Sequence, residues 1–471
     1  MKPSTEVLER LRAVVGPSGY FDQPQDIEPF TTDHRKLYRG STPLVLRPDS
    51  TGQVSEILRV CNEARIGVVP VGGNTSYCGG TAPSEDGSQI VLSMARMRRI
   101  RRVDAMNFTL IAEAGCVLAD VQAAAASFDL LFPMSLGSEG SCQLGGNLST
   151  NAGGTAVLRY GMMRELVLGL EVVLPDGRVL DALSPLRKDN TGYDLHDLFI
   201  GAEGTLGVIT AASCKLFSRP ATLLTAFIAT STPAAAVALL RRLRAFTGDA
   251  VNTFELIPRM ALDLVLRHIE GAHDPLDGRH EWYVLLEIGM GRSDASLRDL
   301  LESELAAAME AGEIQDAAIA ASESQREAFW RLRELIPEAQ RREGAGIKHD
   351  VSVTTSELPR FISEASALVA KIAPEGRIVS YGHLGDGNLH FNVNAPAGDA
   401  SGPFMRKAPQ IHRAVHDLVA AYGGSFSAEH GIGRLKREEL LRYKQPVAID
   451  LMRTIKRALD PNGIMNPGKM L

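Results

Sequence analysis

The segment from Leu136 to Gly154, LGSEGSCQLGGNLSTNAGG, constrains the fold of this chain more than any other. It is long, polar and glycine-rich, so it carries more backbone N–H and C=O groups than its own side chains can cover. A packed core cannot hold that much backbone unless a bound ligand satisfies it. Two shorter segments share the character. Pro70-Val-Gly-Gly-Asn-Thr-Ser-Tyr-Cys-Gly-Gly-Thr-Ala-Pro83 follows a buried apolar strand, and Gly201-Ala-Glu-Gly-Thr-Leu-Gly207 precedes another strand. Glycine lets such loops aim several N–H groups at one point and lets a diphosphate approach the main chain closely. No Gly-x-Gly-x-x-Gly opens a helix and no Gly-Lys-Ser/Thr loop occurs. The three clusters together therefore point to a dinucleotide held by a fold that is neither Rossmann nor P-loop.

Around these clusters, from Tyr38 to about Pro220, short β-branched strands alternate with helices. The pattern predicts a helix over 55–65, a buried strand over 66–71, an alanine-rich helix over 118–128, and a hairpin of 166–174 with 178–180 around Pro175-Asp176-Gly177. Ser218-Arg219-Pro220 breaks the rhythm. Beyond it come longer blocks: strands at 224–229 and 282–288, a helix opened by Ser231-Thr232-Pro233, a helix around 295–311, a hairpin over 377–394, and a helix over 408–422 stopped by Gly423-Gly424. Such blocks read as an α+β domain with helices over an antiparallel sheet. The expected division is 1–220, 221–422 and a helix-rich C-terminal segment over 423–471. A length of 471 residues accommodates this and can bury a large core without a metal or disulfide staple.

The net charge of -6 argues against a nucleic-acid partner and means that an anionic substrate needs local cations. Cys61, Cys78, Cys116, Cys142 and Cys214 are odd in number, widely spaced and free of Cys-x-x-Cys pairs, which fits a reducing compartment. No secretion signal and no long apolar run is visible, so a cytoplasmic protein without a membrane span is expected.

A second constellation carries chemistry. His383-Leu-Gly-Asp-Gly-Asn-Leu-His390 places two imidazoles on either side of a tight turn, where a hairpin would bring them together. Glu429-His430 adds a carboxylate and a third imidazole. Two neutral imidazoles and one carboxylate form a ligand set for zinc or a similar divalent ion with coordination positions left open. His430 then remains for proton transfer, a role suited to an imidazole that ordinarily titrates near neutrality. His412 and His416, four apart on a helix, could imitate a zinc pair, but without a third ligand nearby they read as helix-surface residues. His349 is expected to face away from Lys348.

Taken in order, these motifs resemble those of FAD-linked oxidoreductases of the vanillyl-alcohol-oxidase type, in the branch of D-2-hydroxyacid dehydrogenases. The similarity runs from about Tyr38 to Leu471 and ends on Asn466-Pro-Gly468. It implies an α+β architecture in which the N-terminal half and the C-terminal tail form the FAD domain and the intervening chain forms the substrate domain. It makes 1–220 the cofactor domain and 221–422 the substrate domain, with 423–471 packing on the first and completing the active site. It also implies FAD contacts from Pro70, Gly72, Gly73, Asn74, Thr75, Gly79 and Gly80, from Ser138, Gly145, Asn147, Asn151 and Gly153, and from Gly204, Gly207, Ile209 and Asn466. Covalent relatives often carry a histidine beside the first Gly-Gly pair. Asn74 stands there, so the flavin is expected to be held non-covalently.

Within the branch, the subfamily acting on D-2-hydroxyglutarate uses a late-helix arginine and a lysine fifteen residues on to bind the distal carboxylate. Arg333 and Lys348 match in sequence and spacing. The resemblance gives His383, His390 and Glu429 as metal ligands, Asn392 as a substrate contact and His430 as the base. It implies hydride transfer to FAD, an electron-transfer flavoprotein or a quinone as electron acceptor, and leaves a homodimer open. D-malate would be a further diacid substrate. Alternatively, D-lactate or glycolate would be the substrate, with Arg333 and Lys348 serving as ordinary charges and Arg333 paired to Glu334 or Glu338.

Overall fold

The computed structural model describes residues 2–291, 296–397 and 402–471. Ala295, the first residue of one predicted helix, lies outside them. The chain forms two compact units, one of Met1–Gly154, Gly161–Arg219 and Glu429–Leu471, the other of Thr155–Tyr160 and Pro220–Ala428.

In the first unit, a four-stranded sheet runs in the order Tyr20–Phe21, Val45–Leu46, Gln89–Ser93, Gly67–Val71, with its last two pairings parallel. Gln89–Ser93 is buried along its whole length, as a strand covered on both faces must be. The helix Thr51–Ala64 packs here through Val54, Ile57, Leu58 and Cys61. Ser50 caps its start by accepting the Gln53 N–H, and Arg65 ends it in the left-handed conformation. A five-stranded antiparallel sheet follows, in the order Ile100–Asp104, Thr109–Glu113, Val208–Lys215, Val167–Val173, Val179–Ala182. Its last pair is the hairpin predicted around Asp176-Gly177. The C-terminal tail extends the first sheet: the Val68 N–H donates to Ile464 O, and the Asn466 N–H donates to Val68 O.

The second unit is built on an antiparallel sheet in the order Asp316–Ile319, Thr222–Thr230, Trp282–Met290, Val251–Pro258, Arg377–His383, Asn388–Asn394, Gly346–Ile347. Asp350–Ser352 also pairs with Asn388–Asn394. Helices cover both faces. Pro233–Thr247, Leu297–Glu310, Leu358–Ile372 and Ala408–Ala421 contribute to one core, and Arg259–His268, Glu323–Glu334 and Ile336–Glu343 to the other. The two-residue period of a strand sorts side chains between these layers. Phe254 and Leu256 go to the first core, whereas Ile257, Val379 and Tyr381 go to the second. The α+β class and the antiparallel substrate-domain sheet are as predicted from sequence. The strand Val251–Pro258 was not predicted, and it carries a residue central to the site. Among the described residues no helix is long and apolar enough to cross a membrane.

Candidate active site

The predicted hairpin forms from Arg377–His383 and Asn388–Asn394, with Tyr381 opposite His390. Its turn depends on Gly387, whose φ is +87° and where a Cβ would lie 2.1 Å from Val353 O. No other residue fits there without moving backbone. The turn returns the chain so that the His383 and His390 rings meet edge to face at 5.6 Å.

Glu255 orients this pair. It lies opposite His383 on the neighbouring strand and is fully buried. Its Oε1 is 2.5 Å from His383 Nδ1, and its Oε2 accepts from Arg333 Nε at 2.5 Å. Burial alone would raise its pKa, but Arg333 and His383 outweigh that and hold the carboxyl at about 2. An ionised carboxylate only accepts, so the proton of the neutral His383 ring sits on Nδ1 and Nε2 keeps its lone pair. Metal-ligating histidines are usually held this way, with the second ring nitrogen donating to a carboxylate. The Arg333 guanidinium also lies over the Tyr381 ring at 4.9 Å, and that ring is 5.1 Å from His390. Arg333, Tyr381, His390, His383 and Glu255 thus close a circuit of contacts on one face of the sheet.

The second unit ends at Ala428, whose N–H donates to Asp350 O, so Glu429 follows one peptide bond later. His383 and His390 supply two imidazoles from the hairpin, and Glu429 is the first residue of the tail that follows. The donor set and the fixed His383 tautomer fit a divalent ion such as zinc. His430, the next residue, is partly buried with its ring 4.7 Å from Tyr77, a residue of the Pro70–Pro83 loop.

Arg333 is buried and paired to Glu255. Lys348 is exposed and His349 beside it is buried. Asn392 is buried, its amide donating to Gln340 Oε1 at 3.0 Å and its Oδ1 accepting the His349 N–H at 3.2 Å. The helix-surface reading of His412 and His416 does not hold. His416 is only 7% exposed, and His412 Nδ1 lies 2.9 Å from His349 Nε2. The third imidazole comes from a segment 63 residues upstream, invisible to a search along one helix.

The three glycine clusters converge in the first unit. Gly73 approaches so closely that a Cβ would lie 2.1 Å from Ser141 O, which presses the first loop onto the second. Gly204 lies over Pro70, and Asn466 Nδ2 donates to both Gly80 O and Glu203 O, tying first loop, third loop and tail together. The Glu203 carboxylate accepts the N–H groups of Ile432 at 2.6 Å and Gly433 at 2.7 Å. Burial pushes its pKa up, and these two bonds only partly oppose that. Asn74 and Asn151 adopt positive φ, and Thr81 donates to the Asn74 side chain. Gly145 and Gly207 have a packing reason as well, lying against Ala114 and Val173, and Ile209 is buried in its strand. Gly72, Thr75 and Gly79 lie on the first of these segments, Ser138 and Gly153 on the second, and Asn147 on the short helix Leu144–Ser149 within the second. Two buried acceptors among these loops, Gln143 Oε1 and Asn466 Oδ1, have no hydrogen-bond partner. FAD carries N–H and O–H donors of the kind such acceptors need, so the cradle fits it.

Comparison with known proteins agrees. Residues 42–183 match the model of an FAD binding domain, and residues 219–470 that of the C-terminal domain of FAD linked oxidases. The chain is 40% identical to the mitochondrial D-2-hydroxyglutarate dehydrogenase of Bos taurus, over 99% of its length and 84% of the relative's. It is 36% identical to a putative mitochondrial D-lactate dehydrogenase of Schizosaccharomyces pombe, over 99% of its length and 90% of the relative's. The structure of p-cresol methylhydroxylase with substrate bound superposes with a TM-score of 0.78 at 16% identity, covering 99% of this chain and 96% of the other. The fold is thus of the vanillyl-alcohol-oxidase type, and the chain belongs to the FAD-linked oxidase family. It is an FAD-dependent oxidoreductase.

The cytoplasmic expectation is corrected by the same comparison, because both relatives are named as mitochondrial enzymes. All five cysteines are buried and none forms a disulfide.

Proposed function

We propose that the protein oxidises D-2-hydroxyglutarate, and D-malate as a second diacid, to the 2-oxo acid. In this reading His383, His390 and Glu429 hold a divalent ion, zinc, and FAD is held non-covalently. The observation that carries it is the Arg333–Glu255–His383 chain of bonds, which ties a buried cation to the histidine pair. The Bos taurus relative is named for this substrate.

When bound, the metal lowers the pKa of a coordinated hydroxyl, and FAD accepts the hydride. The protein supplies the rest. Arg333 and Lys348 neutralise the distal carboxylate, giving an acidic protein the local cations that a dianion needs. Asn392 contacts the substrate near the reacting carbon. His430, held against Tyr77, takes the hydroxyl proton while hydride leaves C2 and the carbonyl forms. The two electrons then pass to an electron-transfer flavoprotein or a quinone.

A monocarboxylate reading has one observation in its favour: Arg333 is already paired to Glu255. The Schizosaccharomyces pombe relative, named as a D-lactate dehydrogenase, stands with it. Anaerobic mixing of the FAD-loaded enzyme with D-2-hydroxyglutarate, D-malate and D-lactate, before and after chelation, separates the readings. The diacid reading expects fast loss of flavin colour with the diacids, abolished by chelation and restored by zinc. Loss of colour with D-lactate alone would replace it with the monocarboxylate reading.

A further inference from the structure

The second unit holds another imidazole cluster that this chemistry does not use. His412 and His416 lie one turn apart on the helix Ala408–Ala421, and His349 reaches them from between the strands Gly346–Ile347 and Asp350–Ser352. We infer that His349, His412 and His416 form a second transition-metal site, which pins the segment carrying Lys348 to that helix.

Three features of the geometry support a built site. The candidate ligand atoms of the three rings lie within 4.8 Å of one another, and His349 Nε2 is 2.9 Å from His412 Nδ1. Ring centroids are 4.6 Å apart for His349 and His412, 5.6 Å for His349 and His416, and 5.8 Å for His412 and His416. Donors on a tetrahedral zinc ion, with Zn–N near 2.0–2.1 Å, sit about 3.3 Å apart, so small ring movements complete the sphere.

The tautomer of His349 is also set. Its Nδ1 is 2.7 Å from the carbonyl oxygen of Phe391, which can only accept. Nδ1 therefore carries the proton and Nε2 presents its lone pair toward the other two rings, the arrangement of a histidine ligand braced by a backbone carbonyl. His412 Nδ1 donates to that lone pair. An ion entering there needs only that this proton move to His412 Nε2 or to solvent.

Burial adds a third point, since His349 is 3% and His416 7% exposed. Three imidazoles without a thiolate or carboxylate favour Zn²⁺, Co²⁺, Ni²⁺ or Cu²⁺ over Mg²⁺ or Ca²⁺. The fourth position is left to water. Because the His349 N–H donates to Asn392 Oδ1, an ion here would also steady a residue of the proposed substrate site.

The test uses the full-length, FAD-loaded protein, stripped of metal and titrated with Co²⁺. Wild type is expected to bind two ions per chain, and His412→Gln one. His383→Gln, altered at the other site, is expected to bind one and to keep the absorption band of the three-histidine site. Equal uptake by wild type and His412→Gln, or loss of all binding in His383→Gln, would overturn the inference. Anomalous diffraction at the zinc edge on wild-type crystals soaked in Zn²⁺ gives an answer that needs no variant. A peak among the three rings supports the site and its absence sinks it, whatever the substrate proves to be.

Discussion

Glu255 shows most clearly what single residues do here. Its carboxylate fixes the His383 tautomer and pairs with Arg333 at a depth where neither charge would be stable alone. Glu255→Gln keeps the volume but leaves Arg333 without its counter-charge and allows His383 either tautomer. We expect metal affinity to fall about 10–100-fold in a chelator competition. Stability should drop by about 3 kcal/mol in a denaturant melt. An unchanged affinity would mean that His383 needs no partner. The histidine pair of the hairpin was legible in the sequence, because a tight turn between two histidines is a local signal. Glu255 was not: its partners lie 78 and 128 residues away, and its strand had not been recognised. The available signal was a lone acid in the apolar run Phe254-Glu-Leu-Ile257.

At the scale of elements, Glu343 is a comparable anchor. It ends the helix Ile336–Glu343 and pairs with Arg267 and His268 of the helix Arg259–His268 and with Arg377 of the active-site hairpin. Burial alone would raise its pKa, but Arg377, His268 and Arg267 hold it at about 2. A carboxyl depressed below its unfolded value, about 4.3, stabilises the fold fully above that value and loses the contribution as pH falls toward 2. Glu343→Gln should therefore cost about 1–2 kcal/mol at pH 7 and progressively less toward pH 2.5, measured by urea melts across that range. A cost independent of pH would show that packing, not charge, holds the junction. Elements with caps and period-2 or period-3.6 patterns were readable from sequence within a few residues, as with Thr232-Pro233 opening the helix Pro233–Thr247. The three-histidine cluster was missed because it joins a helix face to an irregular strand connection, and no sequence period spans both.

Across the whole molecule, the tail from Glu429 to Leu471 belongs to the same unit as the glycine loops. Asn466 makes the connection through Gly80 O and Glu203 O. Asn466→Ala removes two hydrogen bonds worth about 1 kcal/mol each. FAD should dissociate about tenfold more readily, seen as flavin fluorescence appearing on dilution, and Asn466→Asp, which loses both donated bonds and sets a carboxylate oxygen against two carbonyl oxygens, should lose at least as much. Retention equal to wild type in the alanine variant would remove the tail from the FAD cradle. The convergence of the loops was readable from their backbone load, but the way Glu203 and Asn466 tie them to the tail was not, since a single Asn or Glu carries no sign of its distant partner.

In the proposed diacid reading, substrate choice rests on Lys348, which is exposed. The most direct measurement is the rate of anaerobic flavin reduction by D-2-hydroxyglutarate and by D-lactate in wild type and Lys348→Met. Losing one of two cations on the distal carboxylate should slow the diacid about 10–100-fold and leave the monoacid unchanged. Equal effects on both substrates, or none on either, would contradict the assignment of the distal-carboxylate site.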